Sequence, residues 1–343
     1  VTVAPIWPVD DNGSWFFDFM TFEVHLFVME LFYVISGFFF AKELFNRSTK
    51  KVLQNRFKRI VIPFILGVII FVPIILSYFH LSKLPAEQAL GFDYLKESYI
   101  EGWKMGLDNF FPTGHLWFLY YLIFFYAIGI ILKNRILHLE FKSLSKIMML
   151  GIVISITCMA FMKRWIVDNP ITLMPEIPSL IHYLMFFLSG MFLFKSKDML
   201  NQTKAFAKRN ILIGCIIGLL AIIPQPLFEN TNYIYYDFIQ AFALISCNIS
   251  IYFLVFGIWG TFGNLKLKNS KSIRYLTDSS YWVYLSNMPI VMLIQISLVN
   301  VPISIYLKFI ISFFGALLLS ILSYEYMVRY TFIGAILNKK RNR

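Results

Sequence analysis

Long runs of apolar residues recur along the whole chain and alternate with short polar segments. Nine runs have the roughly 17 to 25 residues that a helix needs to cross a bilayer. Lipid cannot satisfy free backbone N–H and C=O groups, and the runs lack the alternating pattern of membrane strands, so each is predicted to be a helix. The sequence predicts an all-α, polytopic transmembrane helix bundle, a single domain over residues 1–343, with nine spans near 22–45, 60–81, 115–132, 147–162, 178–194, 211–227, 238–262, 280–299 and 302–327.

The polar segments between the predicted spans alternate in charge. Most of the 31 basic residues fall in every second segment, whereas acidic residues dominate the others. Because cytoplasmic loops are enriched in Lys and Arg, the basic segments and the C-terminus are predicted to be cytoplasmic. The sequence would then start outside, so we expect an upstream helix and ten spans in the intact protein. Nine spans with an external start is the alternative.

Composition excludes a water-soluble protein, because 58% of the residues are hydrophobic and only 15% are charged. The net charge is +12. In a multispanning protein, basic residues mainly mark the cytoplasmic loops, and their expected neighbours are anionic membrane lipids rather than nucleic acid. The five histidines are dispersed and no cysteine spacing fits zinc, so no metal site is predicted. The sequence also lacks a nucleotide-binding glycine loop, which disfavours an energised pump.

Polar residues inside the first span are candidate catalytic groups, since a charge at the centre of a membrane helix costs about 2.5 to 3.5 kcal/mol. His25 and Glu30 stand in its outer half, and a buried carboxyl at the depth of Glu30 is expected to be protonated or paired. Ser36 and Gly37 form a small patch further along. Such a patch allows a ligand or, more commonly, another helix to approach closely.

Arg56 and Arg59 lie three residues apart where the second span begins, which predicts that they share one helix face. Two guanidinium groups at one point suit phosphate, because each can make bidentate charge-assisted hydrogen bonds. Anchoring of the helix at the cytoplasmic side would produce the same pair of residues. Both interpretations remain open from the sequence.

His115 opens the third span in the stretch TGHLWFLYYL, where it could act as a base. Trp117 and Tyr121 would then supply a stacking surface for an acceptor. An interfacial aromatic belt containing a hydrogen-bonded histidine explains the same pattern. Tyr281 and Asn287, in SSYWVYLSNMP, are further binding candidates. Glu325 and Arg329 lie four residues apart near the end of the last span, and this pair is expected to be structural.

Four stretches occur in an order that resembles the acyltransferase 3 family of multispanning membrane enzymes: FYVISGFFFAKELF, NRFKRIVIPFILG, GHLWFLYYLIFFY and LTDSSYWVYLSNMPIV. Within that family the sequence is most similar to the type that succinylates osmoregulated periplasmic glucans. The resemblance implies ten helices in a bacterial cytoplasmic membrane. It implies transfer of an acetyl or succinyl group from cytoplasmic acetyl-CoA or succinyl-CoA to a hydroxyl of an extracytoplasmic glycan or polysaccharide, with no permanently bound cofactor.

The resemblance also implies roles for particular residues. Arg56 and Arg59 match an Arg-x-x-Arg pattern associated with the acyl-CoA side, and His115 matches the histidine of the HLWFL stretch. The main catalytic histidine of the family is expected in the helix upstream of residue 1. Asn287 stands where relatives of the glucan type tend to have His before Pro, so the acceptor is expected to differ. Export or flipping of a polysaccharide without acyl transfer is the main alternative, and a membrane sensor without turnover is a third hypothesis.

Overall fold

A computed structural model of the protein describes residues 16–17, 20, 24, 26–81, 92–108, 112–162, 170, 172–222, 234–265 and 270–337. These residues form helices and connecting turns, and no strand occurs among them. The α-helices are α1 (Val28–Asn46), α2 (Thr49–Arg56), α3 (Ile62–Leu81), α4 (Phe92–Asp108), α5 (Trp117–Ile131), α6 (Lys133–His138), α7 (Leu144–Met162), α8 (Ile177–Lys195), α9 (Lys197–Ala205), α10 (Ala207–Ile222), α11 (Tyr236–Asn264), α12 (Lys271–Leu298), α13 (Ile305–Ser323) and α14 (Phe332–Leu337).

The helix boundaries confirm the all-α membrane bundle. Within the described residues, seven helices are long and apolar enough to cross a membrane, and α9 with α10, bent by 64° between them, makes an eighth span if the pair is counted as one. The first predicted span corresponds to α1, which carries three charged residues, Glu30, Lys42 and Glu43. The number of nine spans, and ten in the intact protein, stays a prediction.

Helix α4 corrects the expectation of a polar connection between the second and third spans. It packs lengthwise on α3, where Gly102 faces the carbonyl of Pro73 so closely that a Cβ would overlap it. His80 Nδ1 and Ser98 Oγ are hydrogen-bonded at 2.9 Å across the same contact. The sequence pattern missed α4 because acidic and basic residues interrupt its apolar face.

Helices α1 and α8 cross at very short range. A Cβ on Gly37 would overlap the carbonyl oxygen of Phe187, and one on Gly190 would overlap the carbonyl oxygen of Val34. Small residues allow membrane helices to gain van der Waals contact that larger side chains would prevent. The patch at Gly37 is therefore a helix crossing, the commoner of the two explanations offered by the sequence.

Helices α12 and α13 form a less buried pair at the side of the bundle. Only 22% of the apolar window of α12 is buried, and only 17% of the window in Ile305–Val328, which contains α13. The value for α11 is 61%. The two helices contact each other, and α12 also packs on α3. The remaining apolar surface of the pair suits contact with lipid, as expected for a membrane protein.

Two π-helical turns lie directly beside arginine residues. One covers Phe57–Val61 between α2 and α3, and the other covers Tyr324–Val328 after α13. Helix α14 follows the second turn and contacts the first. The two turns therefore lie at the same end of the bundle.

Candidate active site

A backbone turn that only glycine adopts easily places His115 at the start of α5. Gly114 has a φ of 52°, in the left-handed region that disfavours residues with a Cβ. It opens a single 3₁₀ turn, Gly114–Leu116, which leads into the helix. His115 is thereby directed toward α12, where its Nε2 lies 3.0 Å from the carbonyl oxygen of Leu285.

This hydrogen bond fixes the tautomer of His115. A carbonyl oxygen can only accept, so Nε2 carries the hydrogen and donates it. Nδ1 is buried, and no group in the described parts of the chain hydrogen-bonds to it. A proton on Nδ1 would create a buried charge without a partner, which is costly. The neutral ring therefore holds a bare lone pair on Nδ1, the form that a general base requires.

Helix α12 connects His115 to Arg59 through two tyrosines. The Tyr284 hydroxyl donates to the carbonyl oxygen of His115 at 2.8 Å, and the Tyr281 hydroxyl donates to the carbonyl oxygen of Arg59 at 2.6 Å. Three residues of helix correspond to a rise of about 4.5 Å. Adjacent turns of one helix thus hold the candidate base and one candidate phosphate-binding residue.

Arg56 is already held by protein groups. Its Nη2 donates to Glu43 Oε2 at 2.9 Å, and its guanidinium carbon lies 5.0 Å from the centre of the Tyr126 ring. Asn55 Nδ2 donates to the same Glu43 oxygen at 3.1 Å. Arg56 is thus oriented by a carboxylate and an aromatic face, a geometry that also suits an incoming phosphate.

The spacing between Arg56 and Arg59 is not that of a regular α-helix. A π turn begins directly after Arg56 and contains Arg59, so an argument from α-helical periodicity does not establish that the two share a face. Both side chains are partly exposed. Their joint binding of phosphate stays a prediction.

A deeply buried polar contact joins Glu30 of α1 to His182 of α8. Glu30 Oε1 and His182 Nε2 lie 3.3 Å apart, and the two side chains are only 3% and 0% exposed. Glu30 is therefore paired, one of the two states that its depth in the membrane predicted. The second oxygen of Glu30, His182 Nδ1 and the Tyr33 hydroxyl are buried and have no hydrogen-bond partner within the described residues.

Sequence reasoning missed His182 because it considered this residue only as one of five histidines weighed as metal ligands. A signal was available: an ionisable residue inside an apolar span generally has a partner or a function. What the sequence could not supply was the identity of that partner, since Glu30 lies in a different span.

Trp117 and Tyr121, predicted to stack on an acceptor, lie in a buried cluster of aromatic rings. Their side chains are 2% and 0% exposed, and both contact Tyr183, with ring centres 5.2 and 6.2 Å apart. Tyr33 contacts Tyr183 at 5.0 Å and completes the cluster. The structure thus brings Trp117 and Tyr121 together next to the Glu30–His182 pair, and their binding of an acceptor stays a prediction.

The other predicted binding residues do not join this cluster. Tyr281 contacts Arg59, while Asn287 is exposed two turns further along α12. Ser36, on α1, is partly buried. His25 lies outside the described residues.

A comparison with protein families assigns the chain. The profile of the acyltransferase domain of the acyltransferase 3 family matches residues 1–325. The chain therefore belongs to this family, and it is a multispanning membrane acyltransferase. Searches of curated proteins and of solved structures each give no match.

Proposed function

We propose that the protein transfers an acetyl or succinyl group from cytoplasmic acyl-CoA to a hydroxyl of an extracytoplasmic glycan or polysaccharide. Family membership supports acyl transfer in the membrane. The choice of donor and acceptor rests on the sequence resemblance and on the distribution of basic residues. The glucan-succinylating type is the favoured relative within the family.

The observation that carries the proposal is the attachment of His115 and Arg59 to adjacent turns of α12. A transferase must bring the reactive end of the donor to a base, although the charged end of CoA stays in water. The bare Nδ1 of His115 is a base inside the bundle, and Arg56 and Arg59 are cations at the end where α3 begins. Helix α12 fixes the separation of the main-chain carbonyls of His115 and Arg59.

In the proposed reaction His115 Nδ1 accepts the proton of the acceptor hydroxyl. The hydroxyl oxygen attacks the thioester carbonyl, the new C–O bond forms, and the C–S bond breaks to release the CoA thiolate. The proton on His115 then passes to that sulfur. The hydrogen bond from Nε2–H to Leu285 stabilises the imidazolium while it exists.

Arg56 and Arg59 are proposed to hold the phosphates of the donor at the cytoplasmic end. A donor phosphate would compete with Glu43 for Arg56. Because Arg56 is already oriented on Tyr126, little side-chain entropy is lost when the phosphate binds.

The test uses full-length protein in liposomes with radiolabelled acyl-CoA and acceptor glycan. The substitution His115→Ala should lower acyl transfer by about 10²- to 10⁴-fold, the range typical of a general base, and leave CoA binding unchanged. His138→Ala is the matched control, because His138 is exposed on the short α6.

Normal transfer by His115→Ala would show that His115 is not the base. Export of unmodified glycan without CoA release by the unsubstituted protein would favour the alternative function, a polysaccharide exporter or flippase.

A further inference from the structure

A second basic site lies at the end of the bundle that carries Arg59, and its residues have no role in the proposed reaction. It is a pocket of about 320 Å³ lined by Lys271, Arg274 and Tyr275 of α12 and by Arg329, which follows the second π turn. We propose that this basic pocket binds an organic phosphate group, either the 3′-phosphate of CoA or the headgroup phosphate of an anionic lipid.

Arg329 is fixed in the wall of the basic pocket. Its Nη1 donates to both oxygens of Glu325, at 2.7 and 2.8 Å, which confirms the structural pair expected from the sequence. Its guanidinium carbon also lies 5.0 Å from the centre of the Tyr275 ring. A cation oriented in this way offers its remaining N–H groups at little entropic cost.

The charge of the basic pocket exceeds what the nearby carboxylates neutralise. Lys271, Arg274 and Arg329 contribute three cations. Glu325 is bound to Arg329, and Asp278 lies one turn beyond Arg274 on α12, so the cluster stays positive even when both carboxylates are counted. A phosphate group supplies the missing negative charge and can accept bidentate hydrogen bonds from a guanidinium.

The start of α12 adds a further attraction for an anion. Lys271 and Arg274 lie in its first turn, after Ser270, whose hydroxyl accepts a hydrogen bond from Ile273 N at 3.2 Å. The N-terminus of a helix carries a partial positive charge. Lysine and arginine placed there repel this charge, so they cost stability unless an anion is present.

The basic pocket lies close enough to Arg59 for one ligand to reach both. Tyr275 precedes Tyr281, which contacts the Arg59 carbonyl, by six residues, or about 9 Å of helix. Helix α14, which follows Arg329, also contacts the π turn that contains Arg59. A CoA molecule carries phosphates at two separated positions, so Arg56 and Arg59 could hold one and the basic pocket the other. This donor version rests on the proposed function, whereas the lipid version does not.

The experiment measures binding to the full-length protein in phosphatidylcholine nanodiscs. The probes are CoA, dephospho-CoA, which lacks the 3′-phosphate, and phosphatidylglycerol added to the nanodisc. The double substitution Lys271→Ala/Arg274→Ala removes two exposed pocket cations. Arg135→Ala/Lys146→Ala is the control, since these basic residues are also exposed and lie outside the pocket.

If the basic pocket takes the donor, the double variant should bind CoA about ten-fold more weakly, while its affinity for dephospho-CoA stays that of the unsubstituted protein. If it takes lipid, CoA binding is unchanged and thermal stabilisation by phosphatidylglycerol is lost. Either result supports a phosphate site. Unchanged responses to all three probes would overturn the proposal.

The two proposals fail separately in this design. Normal acyl transfer by the double variant with unchanged binding of CoA and lipid removes the phosphate site and leaves the transferase. If the double variant loses stabilisation by phosphatidylglycerol but the unsubstituted protein never releases CoA, the phosphate site is supported and the transferase proposal is wrong.

Discussion

His182 and His115, both packed inside the described part of the bundle, differ in the partner that each has. His182 faces a carboxylate, Glu30, in the tight crossing of α1 and α8. His115 faces a backbone carbonyl, that of Leu285, on the less buried α12. A carbonyl oxygen can only accept, so the contact with Leu285 assigns the hydrogen to Nε2 of His115, whereas a carboxyl group as partner does not by itself assign the tautomer of His182.

This difference in partners predicts separate roles for the two histidines: His182 in stability and His115 in catalysis. The Glu30–His182 pair brings together two ionisable groups that would be costly to bury alone, which predicts a role in stability, and the catalytic role predicted for Glu30 stays a prediction. His115 has one nitrogen satisfied by the backbone, and its other nitrogen is buried and accepts no hydrogen bond from the described residues. A buried histidine thus indicates a base only when its partner leaves a lone pair free.

The largest expected effect comes from breaking the Glu30–His182 pair. Glu30→Ala should reduce the free energy of unfolding by about 3 to 5 kcal/mol, because it leaves His182 buried without its partner. Replacing both residues, as Glu30→Leu/His182→Leu, should recover most of the loss. Chemical unfolding in detergent micelles measures both variants, and a double variant no more stable than the single one would contradict the assignment.

A smaller effect is expected from filling the helix crossing beside that pair. Gly190→Ala places a methyl group against the carbonyl of Val34 and should cost about 1 to 3 kcal/mol through overpacking. Gly315→Ala, in α13, is the matched control: its Cβ would lie 3.3 Å from the mobile end of Ile294. The unfolding temperature of Gly190→Ala should therefore fall, whereas that of Gly315→Ala should rise or fall by clearly less. Equal effects would mean that the two regions are packed alike.

The smallest effect should follow from Tyr284→Phe, which removes the hydrogen bond to the His115 carbonyl. Hydrogen bonds between membrane helices contribute about 0.6 kcal/mol on average, so stability should change little. The rate of acyl transfer should fall clearly although the free energy of unfolding hardly changes, since His115 loses one of its two attachments to α12. Tyr326→Phe, at a tyrosine that is 78% exposed, is the control. A loss of activity in the control as large as in Tyr284→Phe would remove the positioning role.

The sequence predicted most of the fold because each membrane span is a local pattern. The predicted span 178–194 and helix α8, for example, differ by one residue at each end. Helix α4 escaped notice because amphipathic helices outside the apolar core have no long apolar run. The π turn after Arg56 also has no clear sequence signal, and it alters the spacing on which the shared arginine face depended.

The candidate site was less predictable because its contacts join distant parts of the chain. Glu30 and His182 are 152 residues apart, and His115 and Leu285 are 170 apart. The sequence identified Glu30 and His115 as unusual from the cost of polar groups near apolar spans. It could not indicate which helices meet, so it did not reveal that Trp117 and Tyr121 lie buried in one cluster of rings.

The two tyrosine hydroxyls on α12 have a mechanical consequence. Tyr281 and Tyr284 are carried by one rigid rod, so sliding or rotating that rod disturbs the anchor at Arg59 and the anchor at His115 in the same movement. Only 22% of the apolar window of this helix is buried, so few protein contacts oppose its displacement. A displacement of this helix at its Arg59 contact would therefore reach the His115 main chain directly through Tyr284.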